Sequence, residues 1–313
     1  MLTLDRIMEL PDMEWCIESL LPKGKIMMLG GPPKKGKSRL ILDTVLRGVR
    51  GSPAFGQFRQ DYKRVLIYNA EGGVQAIKMR SRMFDYYLQG KMGSTGIGKA
   101  LLKCISVTSE RPQLTNQNGT INETVLHELA EAWVPFDLVV MDPLVSFHTA
   151  DENNNQQMGN LLDALRDVTE SVGTSLIIVH HTGKVSSDET QISVKQMAGM
   201  KLRGASAIHG AVDSAVMAYP TQDGMSLVYD LRYAENPGES HVVVSRLTGR
   251  FFRKIEWTPK TWLADPEDFS REHGYNPELY QRSFGLTPSM AESIMIKAKE
   301  DAQKAMKYVL KPL

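Results

Sequence analysis

From residue 25 to residue 219, short and almost purely apolar runs alternate with longer stretches in which apolar residues recur at helical spacing. A strand buried on both faces shows no polar alternation. Such runs, separated by helical segments, therefore point to a mostly parallel sheet covered by helices on both faces. The pattern predicts strands over 25–29, 65–69, 102–107, 138–141 and 176–179, with helices over 37–50, 74–87, 121–132 and 156–172. Beyond Ala205 the character changes. Segments 215–219, 226–231, 241–247 and 251–257 read as strands, separated by the turn pairs Asp223-Gly224, Pro237-Gly238 and Thr248-Gly249. They predict an antiparallel extension of the sheet.

The chain from Thr258 onward is rich in charge. Thr287 as N-cap and Pro288 at the first helical position open a predicted helix that runs to about residue 309. Its apolar residues Met290, Ile294, Ala298, Ala302 and Met306 recur at every fourth position. That face needs a partner: the chain's own core, a neighbouring subunit or another protein. The expected organisation is an N-terminal segment over 1–24, an α/β core over 25–257 and a helical tail over 258–313.

Composition narrows the class. With 42% hydrophobic and 23% charged residues and a net charge of +1, the 313-residue chain reads as globular, neither disordered nor membrane-embedded. No polybasic tail announces a nucleic-acid partner, so such a surface would be local and repeated by an oligomer. Cys16 and Cys104 stand far apart, without disulfide-framework or zinc spacing. Asp5, Arg6 and Glu9 interrupt the stretch where a signal peptide would be apolar, and no apolar run long enough to span a bilayer occurs. The expectation is a cytoplasmic protein with no membrane partner.

The candidate chemistry lies at the ends of the apolar runs. Gly31-Pro32-Pro33-Lys34-Lys35-Gly36-Lys37-Ser38 fits G-x-x-x-x-G-K-[ST], after a predicted strand and before a predicted helix. In such a loop, glycines turn backbone N–H groups toward phosphate oxygens, and the positive end of the helix adds to the attraction. Lys37 is placed to reach the β- and γ-phosphates of ATP, Ser38 to ligate Mg²⁺, and Arg39 to complete the nucleotide-binding stretch. Strand 138–141 ends in Asp142, a second carboxylate for Mg²⁺, held through water. Glu71 follows strand 65–69 at the same edge, where it can orient the attacking water or cap the next helix. His180 and His181 close strand 176–179. Neighbouring residues on a strand face opposite ways, so at most one of them faces a nucleotide, as a γ-phosphate sensor.

Taken in order, GGPPKKGKS, YNAEGG, LVVMDPLVSF, LIIVHHTGK and LRGASAIHGAVDSAV resemble the RecA-like ATPases of phages and plasmids, in particular the hexameric replicative helicases of the RepA type. The resemblance spans about residues 15–231. It implies that Glu71 is the catalytic base, that Asp142 serves the metal and that His180 or His181 is the sensor. It also implies a neighbouring subunit's arginine at the γ-phosphate, for which Arg203 and Arg232 are the candidates; an arginine in a loop such as that around Arg203 can equally contact DNA. Two loops follow the acidic and sensor strands, at 148–157 and 182–202. The second carries Lys184, Lys195 and Lys201, residues suited to the backbone of single-stranded DNA, but its Asp188 and Glu189 also fit a solvated linker. The expected function is a homo-oligomeric, hexameric DNA-binding ATPase acting as a replicative helicase. The alternative is a recombination-type or loader ATPase that uses ATP as an assembly switch.

Overall fold

A computed structural model describes residues 3–49, 51–81, 103–181, 210–221, 224–244 and 251–254. The apolar runs become strands β3 (Ile26–Gly31), β4 (Val65–Asn69), β5 (Ile105–Thr108), β6 (Leu138–Asp142) and β7 (Ser175–His181). Later segments form β8 (Ser214–Pro220), β9 (Gly224–Leu231), β10 (Ser240–Val244) and β11 (Phe251–Lys254). Among the described residues these nine build one sheet, in the order β11-β10-β9-β8-β3-β7-β6-β4-β5. Pairing is parallel from β5 through to β8 and antiparallel from β8 to β9 and β9 to β10. This is the RecA-like α/β architecture expected from the sequence, with one correction. The strand expected to begin the antiparallel extension, β8, lies parallel to β3, and the reversal comes only at β9. Strand direction there is set by the long connection after β7 and not by local sequence, so the residues of β8 carry no sign of it.

The helices are α1 (Leu4–Met8), α2 (Lys37–Gly48), α3 (residues 73–81), α4 (Glu123–Trp133) and α5 (Asn155–Val172). Two apolar layers hold them to the sheet. On one face, Leu40, Ile41 and Val45 of α2 pack against Met27, Leu29, Ile177 and Val179. On the other, Leu126, Leu129 and Trp133 of α4 and Leu161, Leu162 and Leu165 of α5 pack against Ile26, Met28, Leu176 and Ile178. Alternate residues of each central strand thus serve opposite layers, as the strand period requires. Each fully buried Leu or Ile is worth about 1.5–3 kcal/mol of transfer free energy.

The ends of these helices differ in a way that matters for the site. Asn154 caps α5 by accepting from the backbone N–H groups of Gln156 and Gln157, and Asn122 caps α4 by accepting from that of Val125. By contrast, α2 starts from Gly36 in the left-handed region (φ 94°) and no side chain caps it. Arg39 and Leu40 donate to the Gly36 carbonyl oxygen, so the N–H groups of Lys37 and Ser38 at its very start are the ones a ligand can satisfy.

A hairpin of β1 (Trp15–Ile17) and β2 (Leu21–Pro22) precedes the sheet, and Cys16, Ile17, Leu20 and Leu21 join the α2-side core. Among the described residues no helix is long and apolar enough to cross a membrane. The chain divides into units Met1–Arg253 and Lys254–Leu313. The predicted helix at 288–309 lies outside the described residues.

Candidate active site

The loop between β3 and α2 has the conformation its glycines suggest. Gly31 (φ 153°) passes so close to β8 that a Cβ would sit 2.3 Å from the Ala218 carbonyl oxygen, and at Gly36 (φ 94°) a Cβ would meet the Met225 methyl at 2.8 Å. Pro33, Lys34 and Lys35 form an exposed crest, with Lys34 at φ 59°, while Pro32 and Arg39 are half-buried. Lys37 turns inward and is buried. Its Nζ donates to the carbonyl oxygens of Gly31 and Pro32, both at 2.8 Å, and lies 3.0 Å from His181 Nδ1. Burial pushes the Lys37 ammonium down to about 8, against the opposing pull of the Asp142 and Glu71 carboxylates.

Parallel register brings the acidic residues to the same edge. Asn69, last in β4, pairs with Asp142, last in β6, and Gly31, last in β3, pairs with His181, last in β7. Asp142 is buried and precedes a cis peptide bond to Pro143. The Ser38 hydroxyl faces its carboxylate and favours the charged form. Burial raises its pKa, an effect offset by Ser38 and by the Arg80 and Lys37 charges.

Glu71 sits two residues past β4, largely exposed, with Oε1 3.8 Å from His181 Nε2. His181 therefore bridges Lys37 and Glu71 through its two ring nitrogens. Burial first, then the Lys37 charge, lowers its pKa, while Glu71 pulls it up. His180 points to the opposite face, where its Nδ1 is 3.9 Å from Glu152 Oε1.

The chemistry of this donor set fits Mg²⁺. That ion takes hard oxygen ligands, keeps several waters and commonly uses one or two protein groups together with substrate phosphates. Ser38 and Asp142 supply a hydroxyl and a carboxylate, the first near enough to act on the charge of the second. Among the described residues no group of three or more His, Cys, Asp or Glu could hold a metal ion unaided. The phosphates and water would complete the shell.

Lys37, Ser38, Asp142, Glu71 and His181 are thus brought together. Arg232 is not with them. It follows β9, its backbone N–H donates to Asp213 and its guanidinium to the Gly210 carbonyl oxygen at 2.8 Å. This is the edge where β3 begins, a strand's length of roughly 20 Å from the loop where β3 ends. Arg203, Lys184, Lys195 and Lys201 lie outside the described residues.

Three residues were missed by the sequence reading. Arg80 of α3 carries a buried guanidinium nitrogen with no hydrogen-bond partner, and its charge is felt by both Asp142 and Arg39. A lone arginine in a helix leaves no motif; only its position on the helix that starts beside Glu71 could have drawn attention to it. His148 and Glu152 gather behind His180, in the loop after the acidic strand.

The model of a family described as AAA domain matches residues 2–187, a span holding Lys37, Glu71, Asp142 and both histidines. No curated protein matches the sequence. Among solved structures, a KaiC-like protein from the hyperthermophilic archaeon Pyrococcus horikoshii OT3 is similar, with a TM-score of 0.46 and 11% identity over 77% of this chain and 94% of that one.

Proposed function

Because this chain belongs to the AAA domain family and is a P-loop ATPase of RecA-like fold, we propose that it is a homo-oligomeric, hexameric motor that hydrolyses ATP to move along single-stranded DNA, a replicative helicase of phage or plasmid type. The observation that carries the ATP chemistry is the convergence of Lys37, Ser38, Asp142, Glu71 and His181 around the uncapped start of α2.

Each residue has a role that its position permits. The open N–H groups of the loop and of α2 cradle the β-phosphate, with Gly31 through Arg39 lining the triphosphate. Lys37, held by carbonyl oxygens of its own loop, moves onto the β- and γ-phosphate oxygens, where it regains the charge that burial disfavours. Ser38 and Asp142 hold Mg²⁺, which when bound neutralises charge developing on the transferred phosphoryl group. Glu71 orients a water for in-line attack on the γ-phosphorus and takes its proton. The bond from the γ-phosphorus to the β–γ bridging oxygen breaks, and ADP leaves with the electron pair. His181, poised between Lys37 and Glu71, is the sensor of the γ-phosphate.

Two features support assembly and DNA contact. Arg232 lies at the far edge of the sheet from the chain's own loop, so as an arginine finger it would serve a neighbouring subunit's site. The family resemblance offers Arg203 for the same task, and Lys184, Lys195 and Lys201 of the segment after the sensor strand are our candidates for contacting DNA. The sequence-insensitive backbone contacts of such lysines suit a translocating enzyme.

Strand displacement on a forked duplex tests the reading, with ATP turnover followed in parallel. The expected result is separation of the strands and a several-fold rise in turnover when single-stranded DNA is added. Slow turnover that ignores DNA, with no strand separation, would overturn the motor and leave an ATPase that loads or assembles a partner.

A further inference from the structure

The sensor strand ends in two histidines that face opposite layers, and only His181 belongs to the phosphate site. His180, 1% exposed, belongs to a second group on the α5 side of the sheet. Glu152 reaches it at 3.9 Å and is itself 17% exposed. His148, 7% exposed, lies beside them: both its ring nitrogens lack a hydrogen-bond partner, and its charge state responds to Glu152 and to His180. The Glu152 carboxylate is felt by His181 as well, across the strand. One carboxylate therefore lies against His180 and acts on the charge of His148 and His181, from a segment that carries no part of the phosphate site.

That segment is anchored at both ends. Thr149 donates its backbone N–H to the Thr115 hydroxyl at 2.8 Å, and Asp151 donates its own to Gln157 Oε1 at 2.8 Å, in the first turn of α5. Between these anchors the Asp151 carboxylate accepts from the Asn153 N–H, and Asn154 caps α5. Glu152 is the charged link from this stretch to β7.

We infer that Glu152 is a positioning residue that couples the phosphate site to the segment 148–154 on the opposite face of the sheet. The inference rests on the reading of Lys37 and His181 as the nucleotide site. Adjacent strand residues share one peptide, so a shift of His181 toward a γ-phosphate also moves His180. Glu152 follows His180, and His148 has two unused ring nitrogens with which to capture either of them in the new position. The segment and the cap of α5 then have two discrete arrangements, one for each nucleotide state.

Hydrogen exchange on the full chain tests this, with Mg²⁺ and either ADP or a non-hydrolysable ATP analogue, in the parent protein, Glu152→Ala and Glu152→Gln. In the parent, the analogue should slow exchange at 31–39 and change it at 148–157 relative to ADP. Glu152→Ala should keep the first response and lose the second, with kcat down about 2- to 30-fold and KM for ATP unchanged. Glu152→Gln keeps an oxygen at the same reach and should restore part of both. A response at 148–157 that survives in Glu152→Ala, or is missing from the parent while 31–39 is protected, overturns the coupling. No response at 31–39 in the parent overturns the nucleotide-site reading itself, and the coupling falls with it.

Discussion

Single residues show how tightly this site is balanced. Lys37 satisfies its ammonium with two carbonyl oxygens and a histidine, so an ATP phosphate competes with groups of the loop itself. His148 shows the opposite condition, a buried imidazole with unmet polar atoms. Burial holds its pKa below 6.5; Glu152 opposes this and His180 adds to it. Below pH 6.5 the unfolded chain takes up a proton that the folded chain resists, so stability is complete above that pH and falls as the solution is acidified, until the folded pKa is reached. The loss approaches about 1.4 kcal/mol for each pH unit between the two values. Urea unfolding between pH 7.5 and 5.5 should show this slope, flatter in His148→Asn. An identical slope in the variant would assign the effect to other groups.

At the scale of elements, α2 is held from both ends. Its start faces the phosphate site. Toward its end, Arg47 pairs with Asp43 at 3.0 Å inside the core and donates to the Phe251 carbonyl oxygen of β11, while the Phe251 N–H donates back to Asp43. Asp43 accepts from both Arg47 and the Phe251 N–H, and breaking a buried pair by removing one member is strongly destabilising, so Asp43→Ala should cost about 3–5 kcal/mol in denaturant unfolding. A change below about 1 kcal/mol would mean that solvent screens the pair, as it screens exposed ones.

The parallel strands and the helices between them were legible because each is long enough to show its period. The hairpin of β1 and β2 was not, since strands of three and two residues carry no readable alternation. Its burial depends on Ile17 and Leu21 meeting the α2-side core, a tertiary fact. The parallel direction of β8 was hidden for the same kind of reason.

For the whole molecule, the site residues were legible where a strand end carried them. Glu71, Asp142 and His181 each follow an apolar run, and parallel register places such ends on one edge. Which histidine faces the loop was open in the sequence and is decided by the sheet's alternation: His181 shares the α2 side with Ile177 and Val179. Arg80 and the group around Glu152 stayed hidden because they are assembled by packing between segments distant in sequence.

We propose that this edge hydrolyses ATP with Glu71 as base. The most direct test is steady-state ATP turnover beside nucleotide binding, for the parent protein, Lys37→Ala and Glu71→Gln. Loss of a positioned base should lower kcat by about 10²–10⁴-fold in Glu71→Gln with binding intact, whereas Lys37→Ala should lose both. Turnover in Glu71→Gln equal to that of the parent would show that Glu71 is not the base.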